Sequence, residues 1–263
     1  MNNILDYLNK GISDLNPYEP GRSIDAVVAE YKPERVVKLA SNENPLGPSP
    51  KAIEALSNNA NDLHLYPDGD SKKLKLLIAE HESLDVSNII IGNGSNEVLE
   101  LAARAFLNKE SSALMSKHAF AVYKIVAQSN GSKIIEVPTI NWGHALENFH
   151  SHLDDSTRVC FVANPNNPTG TYNSHNEFDL MMEKIPSSVL VILDLAYFEY
   201  VQEEFEGQYI THKHMQMYEY LNAEWKLQSV VQLNDGDDID DILSLIHISE
   251  PTRPERIGGA GVG

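Results

Sequence analysis

Three short motifs carry residue types that are suited to chemistry, and in each one these residues follow a run of apolar residues. The first is GNGSNE at 92–97, the second is NPNNPTG at 164–170, and the third is VLVILDLAY at 189–197. Continuous apolar runs are typical of buried strands, and parallel α/β sheets bind ligands outside the carboxyl ends of their strands. The three motifs are therefore candidate parts of one binding site.

The motif at 92–97 has the features of an anion site. Its glycines permit positive φ angles, the amides that begin the following helix can hold a phosphate, and Ser95 adds a hydroxyl. The same residues would also make an ordinary tight turn in which Ser95 or Asn96 caps the helix. The motif alone does not decide between these two interpretations.

The motif at 164–170 combines two prolines with three asparagines. Pro165 and Pro168 restrict Asn164 and Asn167 to extended backbone, which stiffens the turn and can aim the amide of Asn167 in a fixed direction. A cluster of Pro, Asn and Gly is also what a plain loop uses. Both interpretations stay open on these residues alone.

The third motif places an acidic residue at the end of an apolar run. Asp194 occupies a position where a carboxylate is costly unless something cationic meets it. It would serve either as a helix cap or as the counter-ion of a positively charged ligand atom, and Tyr197 would present a phenol to the same cavity. A phosphate cradle, an amide and this Asp–Tyr pair are together what a pyridoxal phosphate site requires. Asp194 would keep the pyridine nitrogen protonated, and Asn167 and Tyr197 would bond the ring oxygen.

The elements that must position these motifs alternate regularly up to residue 201. Strands are predicted at 89–91, 112–115, 132–138, 158–163 and 189–194. Helices are predicted at 49–57, 71–82, 121–129 and around 177–184, with another after the first glycine-rich turn. This order indicates an α/β domain in which a mostly parallel sheet has helices on both faces. A weaker helical pattern begins at Met215.

Composition and net charge argue against several kinds of binding partner. A net charge of −18 argues against nucleic acid, because a phosphate backbone would be repelled. No apolar run reaches membrane-spanning length and the first residues do not resemble a signal peptide, so a cytoplasmic location without membrane contact is predicted. The single Cys160 excludes a disulfide framework, and His212 with His214 lacks a third ligand, so no metal site is predicted.

Several stretches resemble the fold-type I, class II aminotransferases, and within them the histidinol-phosphate aminotransferases. The stretches are LNPYEPGRSID, KLASNENPLGPSP, LYPDGDSKKLK, GNGSNEVLELAARAF, HAFAVY, NPNNPTG and DLAY, and they cover about residues 15–201. The resemblance implies an incomplete fold-type I large domain, pyridoxal 5′-phosphate as cofactor, and a homodimer. It also implies transfer of an amino group between glutamate, the amino donor, and imidazole-acetol phosphate, a phosphorylated keto acceptor of histidine biosynthesis.

The resemblance also assigns roles to individual residues. Tyr66 is expected to reach the cofactor of a neighbouring subunit, and Tyr18 and Asn44 are expected near the substrate. Phe120 is expected to stack on the pyridine ring. The remaining cofactor contacts that it implies are Gly94, Ser95 and Asn96 for the phosphate, with Asn167, Asp194 and Tyr197 around the ring.

The Schiff-base lysine of the family has no clear counterpart. It is expected in a Ser-Lys context roughly thirty residues after Tyr197. Lys226 has about this spacing but lacks the preceding serine, and Lys213 lies between two histidines. We therefore assign no catalytic lysine and expect this chain not to transaminate by itself. Two alternatives stay open: another class II pyridoxal-phosphate enzyme, such as an aromatic aminotransferase or a threonine-phosphate decarboxylase, and a non-catalytic scaffold protein.

The composition changes after residue 201. Residues 202–241 hold ten acidic residues against two lysines, and LSLIHISEPTR resembles a translated sequencing adapter. The chain is thus interpreted as an N-terminal fragment of the family with a non-native tail. The predicted divisions are an N-terminal arm at 1–48, a partial cofactor-binding domain at 49–201, an acidic segment of doubtful origin at 202–242 and the tail at 243–263. Without further strands, the strand at 89–91 is expected to lack a neighbour.

Overall fold

The computed structural model describes residues 8, 10–15, 21–44, 46–82, 84–197, 200–201, 216–221 and 224–232. For residues 10, 81–82, 216–221 and 224–232 only the backbone is described. The helices are α1 (Lys10–Ser13), α2 (Ile24–Tyr31), α3 (Pro50–Asn59), α4 (Lys72–Glu82), α5 (Gly94–Phe106), α6 (Ala121–Ser129), α7 (Phe149–His152) and α8 (His175–Met182). The strands are β1 (Ile89–Ile91), β2 (Ser112–Ser116), β3 (Lys133–Val137), β4 (Thr157–Ala163), β5 (Leu190–Asp194), β6 (Gln216–Leu221) and β7 (Glu224–Gln232).

The strands of the described residues form one sheet in the order β1-β7-β6-β5-β4-β2-β3. The pairs β1–β7, β5–β4, β4–β2 and β2–β3 are parallel, whereas β6 runs antiparallel to both of its neighbours. The predicted α/β fold with a mostly parallel sheet is confirmed. The carboxyl ends of the parallel strands consequently lie along one edge of the sheet.

Helices cover both faces of the sheet, as the apolar runs predict. Successive residues of β4 point to opposite faces, so Phe161 packs with α5 and α6, while Cys160 and Val162 pack with α8 and the segment around Phe149. Phe161, Cys160 and Val162 are all fully buried. A strand buried on both faces needs a continuous apolar run, which is why β4 shows no polar alternation along most of its length.

Serine side chains cap the N-terminal ends of α3 and α8. Ser49 Oγ accepts a hydrogen bond from the Ala52 amide at 3.1 Å, and Pro50 occupies the first helical position, where its missing N–H costs nothing. Ser174 and Glu177 form a reciprocal capping box at the start of α8. These caps fix where α3 and α8 begin relative to the loops before them.

Two expectations about the sheet are wrong. The helical pattern predicted from Met215 is replaced by β6 and β7, and β1 is parallel to β7 rather than without a neighbour. The segment 224–232 alternates polar and apolar residues at Trp225, Leu227 and Val231, which is the period of a strand. The exposed backbone groups of β1 and β5 can pair with such segments. Within the described residues no helix has the length and apolar character needed to cross a membrane.

Candidate functional site

The sheet brings the predicted motifs to one edge. Ala163, the last residue of β4, and Asp194, the last residue of β5, are partners in the parallel register. The amide of Asn164 donates to the carbonyl of Asp194 at 2.9 Å, which joins the 164–170 loop to the end of β5. The second and third motifs are therefore neighbours at the carboxyl edge of the sheet.

Asp194 is a buried carboxylate whose two oxygens accept hydrogen bonds. Only 5% of the residue is exposed. Its Oδ2 accepts from the hydroxyl of Tyr123 at 2.8 Å, and its Oδ1 accepts from the amide of Ala196 at 3.1 Å. Because hydrogen bonds to an ionised carboxylate stabilise its charged form, the site is built to keep a negative charge at the end of β5.

The 164–170 loop is held by its own asparagines. Asn164 and Asn173 bond each other twice: Asn164 Nδ2 donates to the Asn173 carbonyl at 2.9 Å, and the Asn173 amide donates to Asn164 Oδ1 at 2.8 Å. Asn166 Nδ2 donates to the carbonyl of His118 at 2.7 Å and to Thr169 Oγ1 at 2.8 Å. These bonds close the loop and attach it to the segment that follows β2.

Asn167 follows the hydrogen-bonded Asn164 and Asn166 in the same loop. It is half-buried, whereas Asn164 and Asn166 on its N-terminal side are buried. Within the described part of the chain no hydrogen bond to the Asn167 side chain is formed, while the side chains of Asn164 and Asn166 bond the loop and the segments beside it. The prediction that this turn aims the Asn167 amide at a ligand remains a prediction, and the loop geometry is compatible with it.

His144 joins the ends of two strands beneath this loop. Its Nε2 donates to the carbonyl of Ala163 at 2.7 Å, and its Nδ1 lies 2.6 Å from Ser116 Oγ. Since the carbonyl can only accept, Nε2 carries the proton and Nδ1 accepts from the serine hydroxyl. Burial lowers the pKa of His144 below its ordinary value, which favours this neutral form.

The first motif begins α5. Gly94, the first residue of the helix, has a φ of 76°, and a Cβ on Gly92 would lie 2.6 Å from Cγ2 of Val98, so both positions require glycine. The N-cap is Asn93, so the alternative in which Ser95 or Asn96 caps the helix is wrong. Glu97 accepts hydrogen bonds from the amide and the side chain of Asn93. Gly94, Ser95 and Asn96 thus form the first turn, where backbone N–H groups point out of the helix.

Tyr197 meets the N-terminal part of the chain. Its hydroxyl accepts a hydrogen bond from Asn42 Nδ2 at 3.0 Å. Asn44, which the sequence linked to substrate, instead organises its own turn: its Oδ1 accepts from the Leu46 amide at 2.9 Å. The predicted role of Asn44 is not tested by this contact.

The aromatic residues assigned from the sequence differ in their surroundings. Phe120 is half-buried and meets Tyr123 edge to face, with ring centroids 5.6 Å apart. Tyr66 is fully exposed. Tyr18 lies outside the described residues, as do Lys213, His212 and His214. Lys226 has a described backbone in β7, where it is the register partner of Glu219.

Sequence reasoning missed three polar contacts of the site, made by Tyr123, His144 and Asn42. Tyr123 lies on the same face of α6 as Val126 and Ala127, and all three are buried. An aromatic residue in an apolar stripe is typical of core packing, so nothing in the local pattern distinguishes it. Its place as the last residue of HAFAVY, three residues after Phe120, was the available signal.

Among the described residues, no three or more His, Cys, Asp or Glu side chains are arranged to hold a metal ion. Cys160 is fully buried in β4, and burial raises the pKa of its thiol, which keeps it protonated.

Comparison with known proteins finds a matching family model and related sequences. A family model described as aminotransferase class I and II matches residues 34–232. A histidinol-phosphate aminotransferase 2 from Pseudomonas fluorescens is 48% identical over 194 residues, which are 73% of this chain and 52% of that protein. A histidinol-phosphate aminotransferase from Methylobacillus flagellatus is 43% identical over 210 residues, 79% of this chain and 57% of that protein. The chain thus spans about half the length of the curated relatives it matches.

Solved structures show the same fold. The histidinol-phosphate aminotransferase from Sinorhizobium meliloti in complex with pyridoxal-5′-phosphate has a TM-score of 0.66 at 23% identity, over 73% of this chain and 52% of that one. An aspartate aminotransferase from Thermotoga maritima has a TM-score of 0.60 at 18% identity, over 73% of this chain and 55% of that one.

Proposed function

Because the chain belongs to the aminotransferase class I and II family, we propose that it supplies the cofactor pocket of a pyridoxal-phosphate-dependent transaminase. The proposed reaction moves an amino group between glutamate and imidazole-acetol phosphate. The observation that carries the proposal is the buried, hydrogen-bonded Asp194 beside the braced 164–170 loop. The substrate class rests on the relatives, which at 43–48% identity are named histidinol-phosphate aminotransferases.

The residues present suit this cofactor. A buried carboxylate at a strand end fits a protonated pyridine nitrogen, because the two opposite charges each lower the cost of burying the other. When bound, pyridoxal phosphate supplies the electron sink for the electron pair left when an amino acid loses its Cα proton. Asp194 would hold the proton on the ring nitrogen, which is what makes the ring an effective sink.

The first turn of α5 would hold the phosphate. The N-terminal end of a helix combines outward-pointing amides with the positive end of the helix dipole, and both favour a dianion. Gly94, Ser95 and Asn96 occupy this turn. Glu97 satisfies the amide of Asn93 just before it.

The remaining ring contacts are proposed from position. Phe120 would cover one face of the ring, and Asn167 and Tyr197 would donate to its oxygen. Tyr197 is already oriented by Asn42, whose Nδ2 donates to its hydroxyl. No described residue is assigned as the covalent lysine, and the prediction that Lys226 is not that lysine stands untested.

A homodimer is part of the proposal. The segment from 21 to 66 exposes many large apolar side chains, Tyr66 among them. Many exposed large apolar side chains within one segment are what an association surface would use. A second copy of the chain would cover them and would bring its own Tyr66 to the neighbouring site. A cytoplasmic location is proposed as well, in keeping with a buried thiol at Cys160.

The test of the reaction uses a chimera. Residues 1–201 are joined to the carboxyl-terminal half of the Pseudomonas fluorescens relative, and formation of 2-oxoglutarate from glutamate is measured with imidazole-acetol phosphate as acceptor. We expect turnover, and we expect it to fall by at least about 100-fold in the Asp194→Asn variant, the equivalent of roughly 3 kcal/mol. Preferred turnover of an aromatic 2-oxo acid would move the assignment to another branch, and a folded but inactive chimera would contradict the proposal.

A further inference from the structure

Tyr123 is a buried phenol that none of the three motifs contains. It lies in the first turn of α6 and is fully buried. Its ring stacks on Phe161 with centroids 4.9 Å apart and planes 10° from parallel, and Phe120 meets it edge to face at 5.6 Å. Two aromatic neighbours at right angles to each other hold the ring in one orientation. The hydroxyl therefore has one direction in which to point.

That direction is toward Asp194. The Tyr123 hydroxyl donates to Oδ2 at 2.8 Å, while the Ala196 amide donates to Oδ1 at 3.1 Å. With a donor on each oxygen, the carboxylate is fixed against rotation. Burial and the nearby carboxylate raise the pKa of Tyr123 well above its ordinary value, so the phenol remains a donor over the whole physiological range.

A buried carboxyl group on its own tends to take up a proton, because desolvation disfavours the charged form. A protonated Asp194 could not act as counter-ion to a pyridinium. Hydrogen bonds to the charged form oppose this tendency, and a bond from a buried hydroxyl does so without adding a competing charge.

We propose that Tyr123 is a positioning residue of the cofactor site, which keeps Asp194 ionised and in one orientation for the pyridine nitrogen. The inference rests on the proposed function, since Asp194 has a pyridine partner only if pyridoxal phosphate binds here. Tyr123 acts through Asp194 and is not assigned a contact with substrate.

Other titratable groups near the pair are Tyr197 and His144. Tyr197 adds to the electrostatic field at Tyr123, and His144 donates to the carbonyl of Ala163, the register partner of Asp194. Helix α5 contributes apolar Val98 and Leu99 to the cluster around Tyr123. Tyr197 and His144 are unchanged in a Tyr123 variant, so a difference between variant and parent reports on residue 123.

The experiment measures binding of pyridoxamine 5′-phosphate, which has no aldehyde and so cannot bond lysines covalently. Its dissociation constant is determined by isothermal titration calorimetry, on the 263-residue chain and its Tyr123→Phe variant, across the acid and neutral range. We expect the affinity of both to fall at low pH as Asp194 is protonated. In the variant the midpoint of this fall should move up by about one pH unit, so that binding is about tenfold weaker below both midpoints and equal to that of the parent well above them.

The shift of the midpoint is the decisive readout. A packing role alone would weaken binding equally at every pH and leave the midpoint in place, which would overturn the inference. The titrations of the ligand itself are common to both proteins and cancel in the comparison. Ser151→Ala, which removes an exposed hydroxyl that donates to the Asn148 carbonyl, is the control and should leave the curve unchanged.

Two further arms make every outcome decisive. If the parent chain binds pyridoxamine phosphate and Asp194→Asn abolishes binding, but Tyr123→Phe behaves as the parent, only the inference fails. If the parent does not bind at all, the proposed function fails and the inference with it. Should Tyr123→Phe not fold, 3-fluorotyrosine placed at position 123, a stronger donor, should move the midpoint to lower pH, and an unmoved midpoint would count against the role.

Discussion

Two regions of the chain differ in which side chains they bury and which they expose. Between residues 111 and 194, polar side chains are buried and bonded to one another, as in the Asn164–Asn173 pair and the Tyr123–Asp194 pair. Between residues 21 and 66, large apolar side chains face outward, with Leu39 89% and Leu63 77% exposed. We call the first the strand-end region and the second the N-terminal region.

The difference indicates which contacts hold each region in its conformation. In the strand-end region, every loop that carries a predicted ligand is tied back to a strand by hydrogen bonds within the chain. In the N-terminal region, the apolar surface has no cover from the described residues. The first region should therefore hold its geometry in a single chain, whereas the second should depend on a neighbouring subunit.

The largest expected contrast is in stability. Phe161→Ala removes a fully buried ring that stacks on Tyr123, and it should lower the free energy of unfolding by roughly 3–5 kcal/mol. The substitution Leu63→Ala removes a side chain that is exposed in the single chain, and at concentrations where the chain is monomeric it should change this free energy by less than about 0.5 kcal/mol. Urea unfolding followed by circular dichroism measures both. Equal losses would mean that the N-terminal region is packed within the chain after all.

The next contrast concerns association. The double variant Leu63→Lys with Leu65→Lys places two charges on the exposed apolar surface, and it should weaken self-association by about 10- to 100-fold. Sedimentation velocity over a range of concentrations gives the dissociation constant. Leu180→Lys, at a half-exposed position of α8 in the other region, is the control and should leave it unchanged. A parent chain that stays monomeric at all concentrations would contradict the proposed dimer.

A pH experiment examines the strand-end region alone. The pKa of His144 is lowered in the folded state, so as pH falls through its ordinary value near 6.5 the unfolded chain gains a proton that the folded chain does not. Stability from this group is therefore present above that pH and lost below it, by at most about 1.4 kcal/mol per pH unit.

The His144→Gln variant isolates the effect, because glutamine does not titrate. The difference in unfolding free energy between parent and variant should shrink as the pH is lowered from neutral to about pH 5. A constant difference across this range would show that His144 does not change its protonation on unfolding.

The sequence predicts the strand-end region well for a physical reason. Strands buried on both faces need continuous apolar runs, so β4 and β5 can be recognised in the sequence. The motifs that come after these runs must then lie at the carboxyl ends of the strands. Helix α6 was predicted with the same bounds, because its apolar stripe has a clear period.

The contacts between elements could not be predicted in the same way. Tyr123 meets Asp194 across 71 positions, and Asn42 meets Tyr197 across 155, which are separations that no local pattern encodes. The strands β6 and β7 were missed because short amphipathic segments fit a helix or a strand, and the sheet edges offered by β1 and β5 decide between them.

The smallest expected effect lies where the two regions meet. Asn42 Nδ2 donates to the Tyr197 hydroxyl at 3.0 Å, and this is an exposed hydrogen bond. Asn42→Ala should therefore weaken pyridoxamine phosphate binding by only a few-fold, at most about tenfold, in line with a net value of roughly 0.5–1.5 kcal/mol for such a bond. Asn59→Ala, whose side chain bonds only within α3 at Ala55, is the matched control and should have no effect.

The dependence on protein concentration decides what the Asn42 bond means. If the N-terminal region is ordered by a second subunit, Asn42 can orient Tyr197 only in the dimer, and the loss caused by Asn42→Ala should disappear at concentrations where the chain is monomeric. A loss of equal size at every concentration would show that this contact, which lies within one chain, is kept without a second subunit. The N-terminal region would then be positioned by the strand-end region rather than by its partner.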